Sequence, residues 1–285
     1  MDYRAKEAGH GVDWDAFRKK WSRAIVNSEA NVTVWNEMAA SFQKHAAPEW
    51  DSDPFLREVA RRVHFEKGMR TLDIGCGTGM YSIRMAERAE EAVGVDVSAN
   101  MIAFAEANRQ EAGRDHVKFL CMDWPNAGEE EIENLGTFDV VFAKMTPAVS
   151  DGESFIRLLR AAKKHCFFVK PTRRTDSVLD RLKAAVGARS GENSFDQSIP
   201  SVFEVLWQMG MRPEFSYRED CWESERPLDE AKRWYGNKLL TYRPIGAEET
   251  AVISRILEEA AIDGMVREKT HTTVTTLYWN MEEAD

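Results

Sequence analysis

The fold of this chain is indicated most directly by the stretch Leu72-Asp73-Ile74-Gly75-Cys76-Gly77-Thr78-Gly79. It joins a short apolar run, Arg70–Ile74, to a segment with helical character, Met80–Ala89. Glycines at such a junction let the backbone turn sharply and let a ligand approach without interference from a Cβ atom. The first amides of the following helix, and the positive end of its dipole, then face that ligand. The stretch predicts a strand–loop–helix unit that binds an anionic group, either a pyrophosphate or an amino-acid carboxylate.

The segments that follow repeat the alternation of strand and helix. Apolar runs of roughly five residues, rich in β-branched and aromatic side chains, are typical of strands buried in a parallel sheet. Such runs are Arg70–Ile74, Ala92–Asp96, Val117–Cys121, Phe138–Ala143 and His165–Val169. The stretches between them, such as Ala99–Ala112, suit helices. This alternation predicts an α/β fold with a doubly wound sheet.

The glycine spacing distinguishes two kinds of ligand. A dinucleotide fingerprint reads GxGxxG, and its third glycine, counted from Gly75, would fall where this chain has Met80. The pattern here is GxGxG, and with its leading Leu72-Asp73-Ile74 it resembles the first motif of class I S-adenosylmethionine (SAM)-dependent methyltransferases. The resemblance implies a Rossmann-like, seven-stranded mixed sheet in the order 3-2-1-4-5-7-6, with the last strand antiparallel. It also implies SAM as cofactor and S-adenosylhomocysteine as its product.

Later positions extend the resemblance over residues 34 to 170. Asp96 lies 21 residues after Gly75 at the end of the second run, where the family's acidic residue accepts hydrogen bonds from the ribose hydroxyls. The family packs the position of Met101 on the adenine, and an aspartate at the position of Asp123 accepts the adenine amino proton. The implied cofactor-binding residues are Asp73, Gly75, Cys76, Gly77, Gly79, Asp96, Val97, Met101, Met122, Asp123, Trp124, Lys144, Trp35 and Phe42.

Two of these regions leave alternatives open. Trp35 and Phe42 stand in a Trp-x-x-x-Ala-x-x-Phe segment that folds over the cofactor in relatives, yet they could equally be core aromatics of a helix. Lys144 is either a ligand for an anionic substrate or a solvated loop lysine. The residues after the fourth run, Lys144–Pro147, lack the Asn-Pro-Pro-Tyr tetrapeptide of methyltransferases that modify planar nitrogens, which disfavours those substrates.

The order of segments predicts three regions. Residues 1–65 form an N-terminal helical segment over the cofactor site, 66–170 the SAM-binding core, and 171–285 the end of the sheet with a helical cap inserted. Within the last region we expect irregular chain over 171–200 with one helix around Val178–Val186, and then a helix that opens at Pro200. We also expect strands at 212–219 and 265–280, with two further helices at Pro227–Leu240 and Glu248–Ala261 between them. Aromatic residues there are candidates for the substrate pocket: Trp207, Trp222, Trp234, Tyr235 and Tyr242.

Composition narrows the function classes. The 285 residues carry a net charge of −10, which disfavours a nucleic-acid partner and favours a small-molecule substrate. No apolar run is long enough to span a bilayer or to form a secretory signal, so a cytoplasmic protein without a membrane partner is expected. The four cysteines lie at least 45 positions apart, so no local metal site is expected. The sequence does not indicate an oligomeric state.

Other functions remain open at this stage. The chain could methylate RNA or protein, could bind SAM without transferring a methyl group, or, more remotely, could be a nicotinamide-dependent oxidoreductase. No catalytic residue is assigned, because methyl transfer needs a general base only when the acceptor arrives protonated. Residues that could serve as such a base are His45, His116, His165, His271, Asp220 and Glu223.

Overall fold

A computed structural model describes residues 11–22, 27–188 and 195–283 of the chain. The described residues contain one seven-stranded sheet. Its strands are β1 (Arg70–Ile74), β2 (Glu91–Asp96), β3 (Val117–Cys121), β4 (Phe138–Lys144), β5 (Ala162–Asp176), β6 (Glu214–Pro227) and β7 (Met265–Asn280). The order across the sheet is β3-β2-β1-β4-β5-β7-β6. Strands β1 to β5 pair in parallel, whereas β7 runs antiparallel to both β5 and β6. The predicted fold class and strand order are confirmed.

Helices cover both faces of the sheet and extend beyond it. In the described ranges they are α1 (Trp14–Lys20), α2 (Ser28–Phe42), α3 (Pro54–Arg62), α4 (Met80–Met85), α5 (Ala99–Glu111), α6 (Glu129–Leu135), α7 (Gly152–Ala161), α8 (Leu179–Ala185), α9 (Phe195–Gln208), α10 (Leu228–Leu240) and α11 (Ala247–Ala260). Several begin at side chains that satisfy free backbone amides. Asp53 accepts hydrogen bonds from Phe55 N and Leu56 N at the start of α3, each at 2.9 Å.

Two apolar clusters hold the layers together. On one face, Phe155 of α7 packs against Phe168 of β5 and Trp279 of β7. On the other face, Phe55 of α3 packs against Phe142 of β4. Because both faces of the central strands are covered, β4 is buried along six of its seven residues. This double burial explains why the central strands read as continuous apolar runs.

The last three strands run past the core as an antiparallel ribbon, which corrects the expectation of irregular chain after residue 170. Strand β5 continues to Asp176, paired with β7 across a bulge between Thr172 and Thr175. At the bulge, Arg173 has a φ of +49°. The expected strand 212–219 in fact runs from Glu214 to Pro227. The sequence did not indicate these extensions because they contain polar residues and a proline. A ribbon outside the core does not need apolar side chains on both faces.

The ribbon carries the cap, formed by α8, α10 and α11. Tyr235 and Leu239 of α10, Leu257 of α11 and Leu182 of α8 form the buried centre of a third apolar cluster. The cap therefore has a small core of its own, separate from the clusters on the sheet.

Three further expectations need correction. The helix expected to open at Pro200 begins at Phe195 and contains that proline. The helix expected over Met80–Ala89 ends at Met85. The helical spacing of Trp14, Phe17, Trp21, Ile25 and Ser28 predicts one amphipathic stripe, but α1 ends at Lys20 and α2 begins at Ser28. Residues 23–26 lie outside the described residues.

Within the described residues, no helix combines the length and the apolarity that crossing a membrane requires.

Candidate functional site

A cleft of about 340 Å³ opens at the carboxyl ends of β1, β2 and β4. The chain leaves β1 on one side and β4 on the other, so the cleft lies where the strand order reverses, which is the usual ligand site of a doubly wound sheet. All but one of the fourteen expected site residues line it. The exception is Gly79, which lies behind the loop at the start of α4.

The three loop glycines have positive φ but different surroundings. At Gly75 an added Cβ would overlap the Thr146 side chain, and at Gly79 it would overlap Phe119. At Gly77, with φ +54°, the nearest atom to such a Cβ is Met101 Sδ at 3.9 Å. Gly75 and Gly79 are therefore required by protein packing, whereas Gly77 leaves open space that faces the cleft.

Asp96 lies at the end of β2 beside this open glycine. Its Oδ2 accepts a hydrogen bond from Gly77 N and its Oδ1 one from Ser98 N, both at 2.9 Å. Each oxygen keeps a second lone pair, so the carboxylate can still accept two hydrogen bonds from a vicinal diol. Desolvation raises the pKa of Asp96, while hydrogen bonds from the backbone amides of Ser98 and Gly77 oppose that change.

A second wall of the cleft comes from the segments after β2 and β3. Met101 is buried on the first turn of α5, and Val97, Met122 and Asp123 complete the wall. Asp123 Oδ2 accepts a hydrogen bond from Asn126 Nδ2 at 2.8 Å. Trp124 borders the cleft but is almost wholly buried, and its indole N–H donates to Ser154 O at 3.0 Å. The geometry suits a planar ring between Met101 and the loop after β3.

The floor of the cleft is polar. Asp73 is buried in β1, accepts a hydrogen bond from Ser82 Oγ at 2.8 Å, and its pKa is raised to about 7, mainly by desolvation. Lys144 at the end of β4 lies with Nζ 4.1 Å from the Tyr81 ring centre. Desolvation lowers the pKa of Lys144, while Asp53 and Asp73 oppose that change. Lys144 is thus a partly buried group on the cleft wall, not a solvated loop lysine.

Helix α2 closes the cleft from above, and Trp35 and Phe42 lie on its inner side. Their rings pack edge to face at 6.0 Å. Two contacts fasten the helix to the core: Ser98 Oγ donates to Asn36 Oδ1 at 2.6 Å, and Gln43 exchanges hydrogen bonds with Asn108 on α5.

A larger cavity of about 1420 Å³ lies between α2, the ribbon and the cap. Trp35, Phe42 and His45 line both the cavity and the cleft, as do Met145, Thr146 and Pro147. Of the five candidate pocket aromatics, Trp222, Trp234 and Tyr242 line the cavity.

The prediction that Trp207 and Tyr235 line the pocket was wrong. Trp207 is 63% exposed on α9 and stacks on Phe203 away from the cavity. Tyr235 is 1% exposed in the cap core and does not border the cavity. Helical spacing alone could not distinguish these three environments.

The candidate bases also lie in different places. His116 Nε2 is 2.7 Å from Ala86 O and His165 Nδ1 is 2.9 Å from Tyr278 Oη, so both have structural partners. His271 and Asp220 border neither space, and Glu223 borders only the large cavity. His45 lies where the cleft and the cavity meet.

Sequence reasoning missed several residues of the cleft. Asp53 caps α3 and also accepts a hydrogen bond from Tyr81 Oη at 2.8 Å, which brings two polar groups to the floor. Met145 has a φ of +53°, a strained value for a residue with a side chain, and lies on the cleft wall. The proline after Asp53 marked the helix start but not the second role of the aspartate. Within the described residues, no cluster of histidine, cysteine or carboxylate side chains could hold a metal ion.

Comparison with known proteins agrees with this geometry. Residues 65–193 match the family model described as a methyltransferase domain. The chain is 32% identical over 152 residues to a ubiquinone biosynthesis O-methyltransferase of Azorhizobium caulinodans, a match that covers 45% of this chain and 58% of that protein. It is 34% identical over 100 residues to a tRNA U34 carboxymethyltransferase of Shewanella loihica, covering 35% and 29%. The chain thus spans less than two thirds of the length of these relatives.

Among solved structures, a SAM-dependent methyltransferase of Thiobacillus denitrificans in complex with S-adenosyl-L-homocysteine is similar, with 16% identity and a TM-score of 0.44. That match covers 86% of this chain and 97% of the other. The family match spans β1 to β5, the glycine loop and the strand-end residues that line the cleft. The match to a methyltransferase domain thus covers 129 of the 285 residues, and these include the glycine loop and the strand ends of the cleft.

Proposed function

We propose that this protein binds SAM in the cleft and transfers its methyl group to a small-molecule acceptor held in the adjoining cavity. The observation that carries the proposal is the open space at Gly77 beside the carboxylate of Asp96. Of the loop glycines, only this one faces the cleft rather than a packed side chain. A ribose diol at Asp96 and an amino-acid moiety along the loop fit that arrangement.

The chain's own residues position and shield the reactants. Bound SAM supplies a methyl group that its sulfonium already activates. Asp73, buried at the floor, would pair with the ammonium of the methionyl moiety, and Met101 with Met122 would enclose the adenine. Trp35 and Phe42 face the point where the cleft and cavity meet, so their rings would contact the cationic sulfur and exclude water. Alignment of this kind contributes several kcal/mol to barrier lowering.

The enclosure of the cavity supports a small-molecule acceptor. The cavity lies under α2 and the cap, and six residues are shared between its wall and the wall of the cleft. A site covered on several sides admits a metabolite more readily than a folded nucleic acid, and the net charge of −10 supports the same choice. Where the acceptor carries a proton, His45 is the residue placed to remove it.

Calorimetry with S-adenosylhomocysteine tests the cofactor assignment. Asp96→Ala removes two hydrogen bonds to the ribose and should weaken binding at least about tenfold. Asp115→Ala is a matched control, because Asp115 is a fully exposed aspartate remote from the cleft. Equal affinity in Asp96→Ala and in the unchanged protein would contradict the assignment.

Methyl transfer itself is tested by release of S-adenosylhomocysteine over a panel of phenolic, carboxylic and amine acceptors. Turnover of at least one small acceptor is expected. Binding of tRNA that tightens steeply as salt is lowered, with transfer to it, would instead favour the RNA class to which one relative belongs. Cofactor binding without transfer to any acceptor would indicate a non-catalytic SAM-binding protein.

A further inference from the structure

One lysine that lines the large cavity has no hydrogen-bond or ion-pair partner among the described residues. Lys238 of α10 is partly buried, and among the described residues no acceptor lies within hydrogen-bonding distance of its Nζ. Two aromatic rings that also line the cavity, those of Trp35 and Tyr242, each have their centre 5.8 Å from Lys238 Nζ. A buried cation without an anion is costly, so such a group needs a reason.

A second basic side chain that lines the cavity also lacks an ion-pair partner among the described residues. Arg226 at the end of β6 lies 4.2 Å above the Trp234 ring and donates to Ser224 Oγ at 3.1 Å. No carboxylate of the described residues lies within 4.0 Å of its guanidinium nitrogens. Lys238 of the cap and Arg226 of the ribbon therefore both line the cavity, and neither has an ion-pair partner among the described residues.

Several carboxylates of the same wall already have partners. Asp176 accepts three hydrogen bonds from Arg174 and one from Thr270. Glu268 accepts from Leu179 N at 2.8 Å, and Glu225 pairs with Arg267 at 3.0 Å. These acids therefore do not neutralise Lys238 by contact. Burial lowers the pKa of Lys238 to about 8; the nearby Arg174 and Lys183 add to that effect, and the charges of Asp176 and Glu268 oppose it without contact.

From this arrangement we propose that the acceptor is an organic anion with a planar apolar body, whose anionic group binds Lys238 and Arg226 and whose rings stack among Trp35, Trp234 and Tyr242. The inference rests on the proposed function, since it names the acceptor class of the same site. Trp35 lines the cleft as well as the cavity, so a molecule anchored at Lys238 and lying along Trp35 points its far end at the cleft. The anion thus anchors one end of the acceptor and leaves the other end to react.

Binding of 2-naphthoate, its neutral isostere 2-naphthamide, and 2-naphthyl phosphate to the full chain tests the proposal by calorimetry, with and without S-adenosylhomocysteine. The unchanged protein should bind at least one of the two anions about tenfold more tightly than the amide, because a charge-assisted hydrogen bond replaces a neutral one. Whichever anion binds more tightly identifies a carboxylate or a phosphate ester as the anchoring group.

The variants separate the role of the charge from that of packing. Lys238→Met keeps the length and apolar stem of the side chain and should abolish the preference for the anion, while Lys238→Arg should keep it. Lys232→Met is the matched control, because Lys232 lies on the same helix, pairs with Glu258 and does not border the cavity. It should bind the anion as the unchanged protein does.

The outcomes distinguish this inference from the proposed function. Equal binding of anion and amide by the unchanged protein, absence of binding by both included, would overturn the inference. So would an unaltered preference in Lys238→Met. If S-adenosylhomocysteine fails to bind while the preference for the anion persists and depends on Lys238, the proposed function fails and the anion site stands.

Discussion

At the scale of single residues, Gly77 and Gly68 offer a direct comparison. Both have positive φ, and in neither does an added Cβ come closer than 3.9 Å to another side chain. Gly68 lies in an exposed turn before β1, whereas Gly77 faces the cleft. An alanine at either position costs a similar amount in backbone strain, roughly 1–2 kcal/mol, so a difference in ligand binding between the two variants reports the cleft alone.

We therefore expect Gly77→Ala and Gly68→Ala to lower the melting temperature alike. Only Gly77→Ala should weaken the binding of S-adenosylhomocysteine, by at least about tenfold, because the methyl group of the alanine occupies space that the ligand needs. Thermal unfolding and calorimetry measure the two effects. Comparable affinities in both variants would show that the ligand does not approach the loop at Gly77.

Asp73 should make cofactor binding depend on pH. Its pKa is raised to about 7 in the ligand-free protein, above the ordinary value of 3.8, mainly by desolvation and against the opposing charge of Lys144. Its contribution to stability is therefore complete below pH 3.8 and is lost as the pH rises through 7. A ligand ammonium favours the ionised carboxylate, so binding must release a proton wherever Asp73 is protonated.

The expected result is a loss of about tenfold in affinity for S-adenosylhomocysteine between pH 8 and pH 6. Asp96 and Cys76 also face Asp73, and burial raises the pKa of each of them as well. Asp73→Asn keeps an acceptor for Ser82 and should remove most of the dependence. Calorimetry in buffers of different ionisation enthalpy measures the released proton, and a flat profile in the unchanged protein would contradict the pairing.

At the scale of elements, α2 connects the cleft to the cap. Gln43 at its end exchanges hydrogen bonds with Asn108 on α5, at 2.7 and 2.9 Å, and Asn108 Nδ2 also donates to Thr78 O in the glycine loop. On its other side, Met38 Sδ accepts from Trp234 Nε1 of α10 at 3.2 Å. One helix thus covers the cofactor space and contacts the element that carries Lys238.

Gln43→Ala should release the end of α2 without unfolding the chain. We expect faster amide hydrogen exchange over residues 36–45 and a several-fold weaker affinity for S-adenosylhomocysteine, with a loss of about 1 kcal/mol in stability. Gln110→Ala is the control, since Gln110 is an exposed glutamine of α5. Unchanged exchange in α2 would show that the pair with Asn108 does not hold the helix.

At the scale of the whole molecule, the described chain has separate apolar clusters for the sheet and for the cap. Leu257 of α11 is fully buried in the cap cluster, and Leu158 of α7 is fully buried against the sheet. Truncating either leucine to alanine leaves a void that lowers the free energy of unfolding by about 2–5 kcal/mol. The void lies in the cap for Leu257 and against the sheet for Leu158.

Leu257→Ala should speed hydrogen exchange in α8, α10 and α11 while leaving the affinity for S-adenosylhomocysteine within about twofold of the unchanged protein. Leu158→Ala should lower the stability of the sheet and speed exchange in β4 and β5. Exchange mass spectrometry with calorimetry distinguishes the two patterns. Uniform destabilisation by both variants would show that the cap and sheet unfold as one unit.

The amino-acid sequence was sufficient to predict the central sheet, the glycine loop and the positions of Asp73, Asp96 and Asp123. These features are local: five-residue apolar runs mark strands covered on both faces, and a GxGxG turn constrains its own backbone. The strand order came with the family resemblance rather than from the runs themselves.

Which other residues come together at the site could be seen only in the tertiary structure. The ribbon of β5, β6 and β7 depends on pairing between segments about 100 residues apart, such as Thr172 with Thr273, which no local pattern records. Trp207, Trp234 and Tyr235 share a residue type or a helix, yet packing leaves one exposed, places one in the cavity and buries one in the cap. In the sequence, Lys238 has no feature that distinguishes it from a surface lysine. The fold partly buries it and leaves it without an ion-pair partner among the described residues, because burial and pairing are properties of the assembled chain.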